Sequence, residues 1–78
     1  MTVEWLRPDL TQANRLVHLY EGHKDRNEAQ IKSYRGRTGL FKEELQKGNT
    51  SLKLSAVQPS DEGDYKCLIQ SDGDVWVI

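Results

Sequence analysis

This chain has few cysteines, prolines and aromatic residues and no long apolar run. Its 78 residues contain one cysteine, two prolines and six Trp, Tyr and Phe residues together. No stretch is long and apolar enough to cross a bilayer, so no membrane span is predicted within these residues. Eleven Lys and Arg against twelve Asp and Glu leave a net charge of −1. A chain without a basic excess is not expected to bind nucleic acid.

The single cysteine, Cys67, is an odd count. In a secreted protein an odd cysteine indicates a missing partner or an intermolecular bond. The triplet Asn49-Thr50-Ser51 matches the N-glycosylation acceptor pattern, which matters only for a chain that passes through the secretory pathway. These two features agree with each other, because both concern an extracellular protein.

Turn-forming residues occur at short intervals, which is typical of an all-β domain made of short strands. Asp72-Gly73 predicts a tight hairpin turn, since this pair readily adopts positive φ angles. A brief helical turn is predicted over residues 42–47 and a weak edge strand within residues 23–32. The remaining strands are predicted over residues 2–7, 15–21, 50–56, 64–70 and 75–78.

Side chains alternate between the two faces of a strand, so the pattern predicts which ones point into a core. In the first strand Val3 and Trp5 share one side, and Glu4 and Leu6 share the other. Leu52 and Leu54 form the apolar side of residues 50–56. In residues 64–70 the apolar side carries Tyr65, Cys67 and Ile69.

Four segments together resemble a V-set immunoglobulin domain of the butyrophilin-like branch, the group that includes myelin oligodendrocyte glycoprotein and the T-cell costimulatory ligands. The Asp-x-Gly-x-Tyr-x-Cys pattern resembles the corner that leads into strand F of such a sandwich. The Tyr-Arg-Gly-Arg-Thr run is the part that favours this branch. The segments are Val3-Glu4-Trp5-Leu6-Arg7, Val17-His18-Leu19-Tyr20, Tyr34-Arg35-Gly36-Arg37-Thr38 and Ser60-Asp61-Glu62-Gly63-Asp64-Tyr65-Lys66-Cys67.

The resemblance implies that residues 1–78 are a partial V-set domain with strands C, C′, C″, D, E, F and part of G. Strands A and B would be absent, and with them the cysteine that pairs with Cys67. Losing such a disulfide costs about 2–5 kcal/mol, so the isolated chain is expected to fold poorly. The resemblance also implies an ion pair between Arg37 and Asp61. The implied structural core contains Trp5, Tyr65, Leu52 and Leu54.

With Trp5 and Cys67 pointing inward, strand alternation sends a second set of side chains to the opposite face. Residues 15–21, which would be strand C′, are apolar in both phases, so one of the two sets must also point outward, and Tyr20 is assigned to that set. An exposed apolar patch bordered by charges is typical of a protein-binding surface, although scattered exposed leucines are also ordinary. The predicted partner-binding face contains Leu6, Glu4, Tyr20, Lys66, Leu68 and Gln70.

The resemblance implies a recognition module at the extracellular face of the plasma membrane, anchored outside these residues in a type I membrane protein. It would bind a cell-surface protein receptor and regulate T-cell signalling or adhesion, with no cofactor and no enzyme activity. Binding between copies of the chain stays open. One alternative is a lectin of the sialic-acid type, which needs an arginine on strand F, where this chain has Leu68-Ile69-Gln70. Another is a gene fragment without a function of its own.

Three chemical alternatives are weaker. Cys67 could be a nucleophile served by His18 or His23, but its apolar phase in a strand favours a buried, inert thiol. The two histidines lack a second pair of ligands for zinc. Asp72-Gly73-Asp74 offers two carboxylates, fewer oxygens than calcium requires.

Overall fold

The regular structure consists of seven short strands, one short α-helix and three turns of 3-10 helix. The computed structural model describes all residues, Met1–Ile78. Single turns of 3-10 helix lie at Asn27–Ala29, Lys32–Tyr34 and Pro59–Asp61. The all-β prediction is confirmed. The elements are β1 (Thr2–Leu6), β2 (Leu16–Glu21), β3 (Lys24–Asp25), β4 (Thr38–Leu40), α1 (Lys42–Leu45), β5 (Leu52–Leu54), β6 (Lys66–Ser71) and β7 (Asp74–Val77).

The strands form two antiparallel layers. Five of them make one sheet in the order β3-β2-β1-β6-β7, and β4 pairs with β5 in the second. Strand β1 lies at the centre of the larger sheet, where Trp5 is opposite His18 of β2 and Cys67 of β6. No helix in the structure is long and apolar enough to span a membrane.

The turns follow the local sequence. In the hairpin between β6 and β7, Asp72 and Gly73 have φ angles of 51° and 83°, the paired positive values of a two-residue hairpin turn. The polar stretch after β2 forms only two residues of strand, Lys24–Asp25, before the chain turns into the 3-10 segment at Asn27–Ala29. The predicted helical turn forms α1, and Gly48 follows it with a φ of 88°, which suits a glycine after a helix.

The core consists of two neighbouring clusters, and Trp5 packs against both. Its indole nitrogen donates a hydrogen bond to the carbonyl oxygen of Thr50 at 2.9 Å, so one side chain both fills the core and ties the layers together. Leu52, Leu54 and Tyr65 are half-buried against the second cluster. The first cluster contains Val3, Leu45, Cys67 and Ile69, and the second contains Val17, Ile31 and Tyr34.

The assignment of Tyr20 to the outer face is wrong. Tyr20 lies opposite Val3, which is fully buried, and packs against the first cluster. The amino group of Lys42 lies 6.0 Å from the centre of its ring. Strand β2 is apolar in both phases, so its alternation alone does not show which side faces inward. The pairing with β1 decides this, and it places Leu19 outward beside Glu4.

Candidate functional site

An ion pair closes one end of the two layers. The guanidinium of Arg37 donates two hydrogen bonds to the carboxylate of Asp61, each 2.9 Å long. The two side chains are 11% and 5% exposed, and the carboxylate also accepts the backbone N–H of Gln58 at 2.8 Å. The bonds from Arg37 and from Gln58 hold the pKa of Asp61 well below its usual range. The structure therefore brings together the two residues that the resemblance pairs.

Three side chains form a directed chain of hydrogen bonds beside this pair. The hydroxyl of Tyr65 donates to the backbone carbonyl of Asp61 at 2.5 Å. Because the Tyr65 hydroxyl donates its one proton to Asp61, it can only accept from the hydroxyl of Tyr34, which lies 2.9 Å away. Tyr34 in turn accepts from the guanidinium of Arg7 at 3.0 Å. Burial raises the pKa of Tyr65, which keeps this hydroxyl neutral.

Arg7 is a residue that the sequence reasoning missed. It is 5% exposed and binds the carboxylate of Asp9 at 2.7 Å. It also donates to the backbone carbonyls of Ser60 and Glu62, each at 2.8 Å. Because residue 7 continues the inward phase of Val3 and Trp5, the alternation could have predicted its burial. A buried guanidinium needs acceptors on every side, and the turn before β6 supplies two of them.

Only glycine fits at position 63, the glycine of the Asp-x-Gly pattern, and the reason is steric. A Cβ atom added at Gly63 would overlap the guanidinium of Arg7 and the carboxylate of Asp9. Its φ angle of 154° is also one that other residues rarely adopt. The turn at Gly63 and the cluster around Arg7 therefore depend on each other.

Cys67 lies at the centre of the core and is fully buried. Its sulfur is 3.7 Å from the hydroxyl of Thr50, its one side-chain contact of this kind, and burial raises its pKa. His18 is occupied elsewhere, bonded to Thr38 at 2.7 Å and to Asp25 at 2.9 Å. The thiol therefore has neither the neighbouring base nor the exposure that nucleophilic cysteines require. No group of three or more His, Cys, Asp or Glu side chains is arranged to hold a metal ion.

The side of the large sheet that points away from β4 and β5 carries five of the six predicted partner-binding residues. We call it the outer face, defined by Glu4, Leu6, Leu19, Lys66, Leu68, Gln70, Val75 and Val77. Across its centre runs one row of directly paired residues, Leu19, Glu4, Leu68 and Val77 in that order. On one side of this row Leu6 is opposite Lys66, and on the other Gln70 is opposite Val75. Leu19, Val75 and Val77 were not predicted, although alternation along β7 could have found the two valines.

Asn49 lies in the turn between α1 and β5, away from the outer face. The residue is exposed, and its side-chain oxygen accepts the backbone N–H of Ser51 at 3.0 Å. Thr50, the middle residue of the triplet, is 8% exposed and is bonded to Trp5. The amide nitrogen of Asn49 is therefore free while the backbone beside it is fixed.

The order of the strands and the position of three residues define the class of protein. In the five-stranded sheet β1 lies beside β6, and the tryptophan of β1 is opposite the cysteine of β6. A tyrosine corner lies two residues before that cysteine. This arrangement is that of an immunoglobulin-like sandwich of the variable type. The model of the immunoglobulin V-set domain family matches residues 1–77. The chain belongs to this family.

Similar proteins come from the same family. Human myelin-oligodendrocyte glycoprotein is 40% identical over 70 residues, which are 90% of this chain and 27% of that protein. Human V-set domain-containing T-cell activation inhibitor 1 is 38% identical over 69 residues, 88% of this chain and 23% of that protein. Human erythroid membrane-associated protein is 38% identical over 68 residues, 87% of this chain and 14% of that protein. The chain thus spans about a quarter or less of the length of these relatives.

The fold also matches a solved structure. The crystal structure of the human B7-H4 IgV-like domain superposes with a TM-score of 0.88 and 34% sequence identity, covering 99% of this chain and 64% of that chain. This match confirms the V-set fold that the resemblance implied.

Proposed function

We propose that this chain is a cell-surface recognition domain that binds a protein receptor through its outer face and thereby regulates T-cell signalling or adhesion. The observation that carries the proposal is the row Leu19, Glu4, Leu68 and Val77. Three of its four members are apolar on a face that no other layer covers. An apolar strip bordered by charged residues is the composition expected of a surface that binds another protein.

The relatives support the same proposal. V-set domain-containing T-cell activation inhibitor 1 is named for inhibiting T-cell activation, and erythroid membrane-associated protein is named for its association with a membrane. By analogy we place this domain at the extracellular face of the plasma membrane, with its anchor outside residues 1–78. The domain would do no chemistry and need no cofactor, since affinity comes from apolar side chains that lose their contact with water.

The test uses a substitution at the centre of the outer face. Leu68→Asp places a charge in the apolar row, and fluorescent tetramers of the chain would be measured on T cells by flow cytometry. We expect binding to fall at least about tenfold, the ratio that corresponds to about 1.4 kcal/mol. Val57→Asp is the matched control, because Val57 is 70% exposed and lies outside the outer face. Equal binding by the two variants would refute the proposal.

The same assay distinguishes a glycan ligand from a protein receptor. The outer side of β6 carries Lys66, Leu68 and Gln70 and no arginine, so the bidentate contact with a sialic-acid carboxylate has no donor there. We expect sialidase treatment of the cells to leave tetramer binding unchanged. Loss of binding after this treatment favours the lectin alternative, and no binding by the unaltered chain favours a fragment without function.

We further propose that Asn49 carries an N-linked glycan. Its exposed amide and its distance from the outer face support an attachment that leaves the binding surface free. Expression in secretory cells followed by glycosidase digestion should show one mobility shift. Ser51→Ala should abolish the shift, and its persistence in that variant would contradict the assignment.

A further inference from the structure

The five-stranded sheet has two free edges, and only one of them is protected against pairing with another strand. One edge is β3, which has only two residues, Lys24 and Asp25, and both are charged. Short length and charged side chains are the means by which native proteins keep sheet edges from pairing. The other edge is β7, which has four residues, of which only Asp74 is charged. The edge at β7 therefore lacks this protection.

The side chains of β7 are exposed and apolar on both faces of the sheet. Val75 and Val77, on the outer face, are 61% and 59% exposed, and Trp76, on the core side, is 49% exposed. The next residue, Ile78, is also exposed. An exposed apolar edge strand of this kind is expected to pair with a further strand.

The hydrogen bonds between β6 and β7 show which backbone groups of β7 are left free. Cys67 and Ile78 exchange two N–H···O bonds, of 3.0 and 2.9 Å. In an antiparallel pair such doubly bonded positions alternate with positions whose N–H and C=O groups point away from the neighbouring strand. Trp76, two residues before Ile78, therefore bonds to β6 as well. Val75 and Val77 present their N–H and C=O groups at the free edge.

One register lets two copies of β7 use all of these free groups. In an antiparallel pair about a two-fold axis at Trp76, Val75 of each copy lies opposite Val77 of the other. Each of these pairs exchanges two hydrogen bonds, so no free group of either strand is left over. A two-fold axis at Val75 or at Val77 makes only one such pair within β7. The edge thus matches itself, which is what a two-fold interface requires.

The same register places the side chains favourably. Trp76 would lie directly opposite Trp76 of the other copy, beside the groove that it borders with Leu45 and Ile69. Aromatic pairs in this position stabilise antiparallel strands. Asp74 of each copy would lie opposite Ile78 of the other, so the two carboxylates stay apart. No like charges meet across the axis.

We propose that β7 pairs edge to edge with β7 of a second copy of this chain, in an antiparallel two-fold dimer with Trp76 on the axis. The pairing joins the two five-stranded sheets into one continuous sheet. The partner is a second copy because the free groups at Val75 and Val77 match those of an identical strand in number and spacing. This inference goes beyond the proposed receptor binding, since it uses the edge of the sheet and the receptor binds its outer face.

The first test is the self-association of the full 78-residue chain, measured by sedimentation equilibrium at concentrations up to about 1 mM. Two double variants change the same two exposed positions. When Val75→Lys is combined with Val77→Lys, each new lysine lies opposite a lysine of the other copy, and the dimer should weaken at least about tenfold. When Val75→Glu is combined with Val77→Lys, each lysine lies opposite a glutamate. That dimer should persist and should weaken with added salt.

The second test locates the axis by a disulfide. Trp76→Cys places two thiols opposite each other with Cα atoms about 4.5 Å apart, a separation that a disulfide can span. Oxidised glutathione should convert this variant into a covalent dimer, because the two thiols lose their protons and two electrons to the glutathione disulfide. Val75→Cys is the matched control, since its two Cα atoms would lie more than about 7 Å apart. It should form no covalent dimer on a non-reducing gel.

Thermal melts by circular dichroism accompany each sample, and a wild-type chain without a cooperative melt counts against the proposal, because an unfolded chain has no fixed edge. Three other results would overturn it. They are a wild-type chain that stays monomeric at every concentration, equal association of the two double variants, and equal cross-linking of Trp76→Cys and Val75→Cys.

The receptor proposal fails separately. Leu68→Asp changes the outer face and should leave the dimer unchanged, whereas loss of the dimer in this variant would assign the contact to that face and refute pairing through β7. If the chain is monomeric but Leu68→Asp abolishes cell binding, the receptor proposal stands and the dimer alone is wrong. If the dimer forms as expected but Leu68→Asp binds cells normally, the edge pairing stands and the receptor site lies elsewhere.

Discussion

The hydroxyl of Tyr34 joins Arg7 to Tyr65 through two hydrogen bonds, and the substitution Tyr34→Phe removes only that hydroxyl. The change removes one oxygen and keeps the ring in the second core cluster. It also keeps the guanidinium of Arg37 over the ring, 5.0 Å from its centre. What disappears is the acceptor for Arg7 and the donor to Tyr65. The variant therefore measures two hydrogen bonds and little else.

The size of the effect follows from the two bonds. A hydrogen bond to a charged donor contributes about 1.5–3 kcal/mol and one between neutral groups about 0.5–1.5 kcal/mol. Arg7 keeps Ser60 as an acceptor, and Tyr65 keeps Asp61, so each partner stays partly satisfied. We expect a loss of about 3 kcal/mol in the free energy of unfolding. In a domain of this size that is about 12–24 °C in melting temperature.

The measurement is urea denaturation followed by circular dichroism, with the slope against denaturant checked for constancy. Tyr20→Phe is the matched control. Its ring also packs against a core cluster, but its hydroxyl makes no hydrogen bond, so its change should stay within about 0.5 kcal/mol. If the two variants lose equal stability, the chain of hydrogen bonds from Arg7 to Asp61 does not stabilise the fold as argued.

Three further predictions concern the same fold. Gly63→Ala should lower the melting temperature more than Gly36→Ala, because both glycines have positive φ but only at Gly63 does an added Cβ meet other atoms; equal losses would refute the steric argument. Because the pKa of Tyr65 is raised in the folded state, folding favours the neutral hydroxyl. This contribution to stability is fully present below about pH 10, the pKa of tyrosine in the unfolded chain, and is lost as the pH rises further. Urea midpoints measured across this range should fall less in Tyr65→Phe than in the wild type. Cys67, fully buried with a raised pKa, should react with a thiol reagent at neutral pH much more slowly in native buffer than in concentrated urea, and equal rates would show that the core is open.

Local patterns predicted those features that depend on neighbours in sequence. The alternation of Val3 with Trp5 and of Cys67 with Ile69 gave the buried side of β1 and β6, because a strand has a period of two whatever lies beside it. Asp72-Gly73 predicted the hairpin because the preference of these two residues for positive φ angles is also local. The family followed from four short segments whose order along the chain is itself part of the sequence.

The wrong assignment of Tyr20 and the missed role of Arg7 share a different cause. Strand β2 is apolar in both phases, so only its pairing with β1 decides which set points inward. The acceptors of Arg7 lie 27 to 55 residues away, apart from Asp9, and no local pattern relates them to it. The position of Glu4 opposite Leu68 likewise exists only through the register of β1 against β6.

By itself the sequence determined that this chain makes short strands, which side of most of them is apolar, and to which family it belongs. Only the tertiary structure decided which charges are satisfied and which are left without a partner. The physical reason is that strand alternation is set within a few residues, whereas hydrogen bonds and ion pairs depend on side chains that the fold brings together from distant parts of the chain.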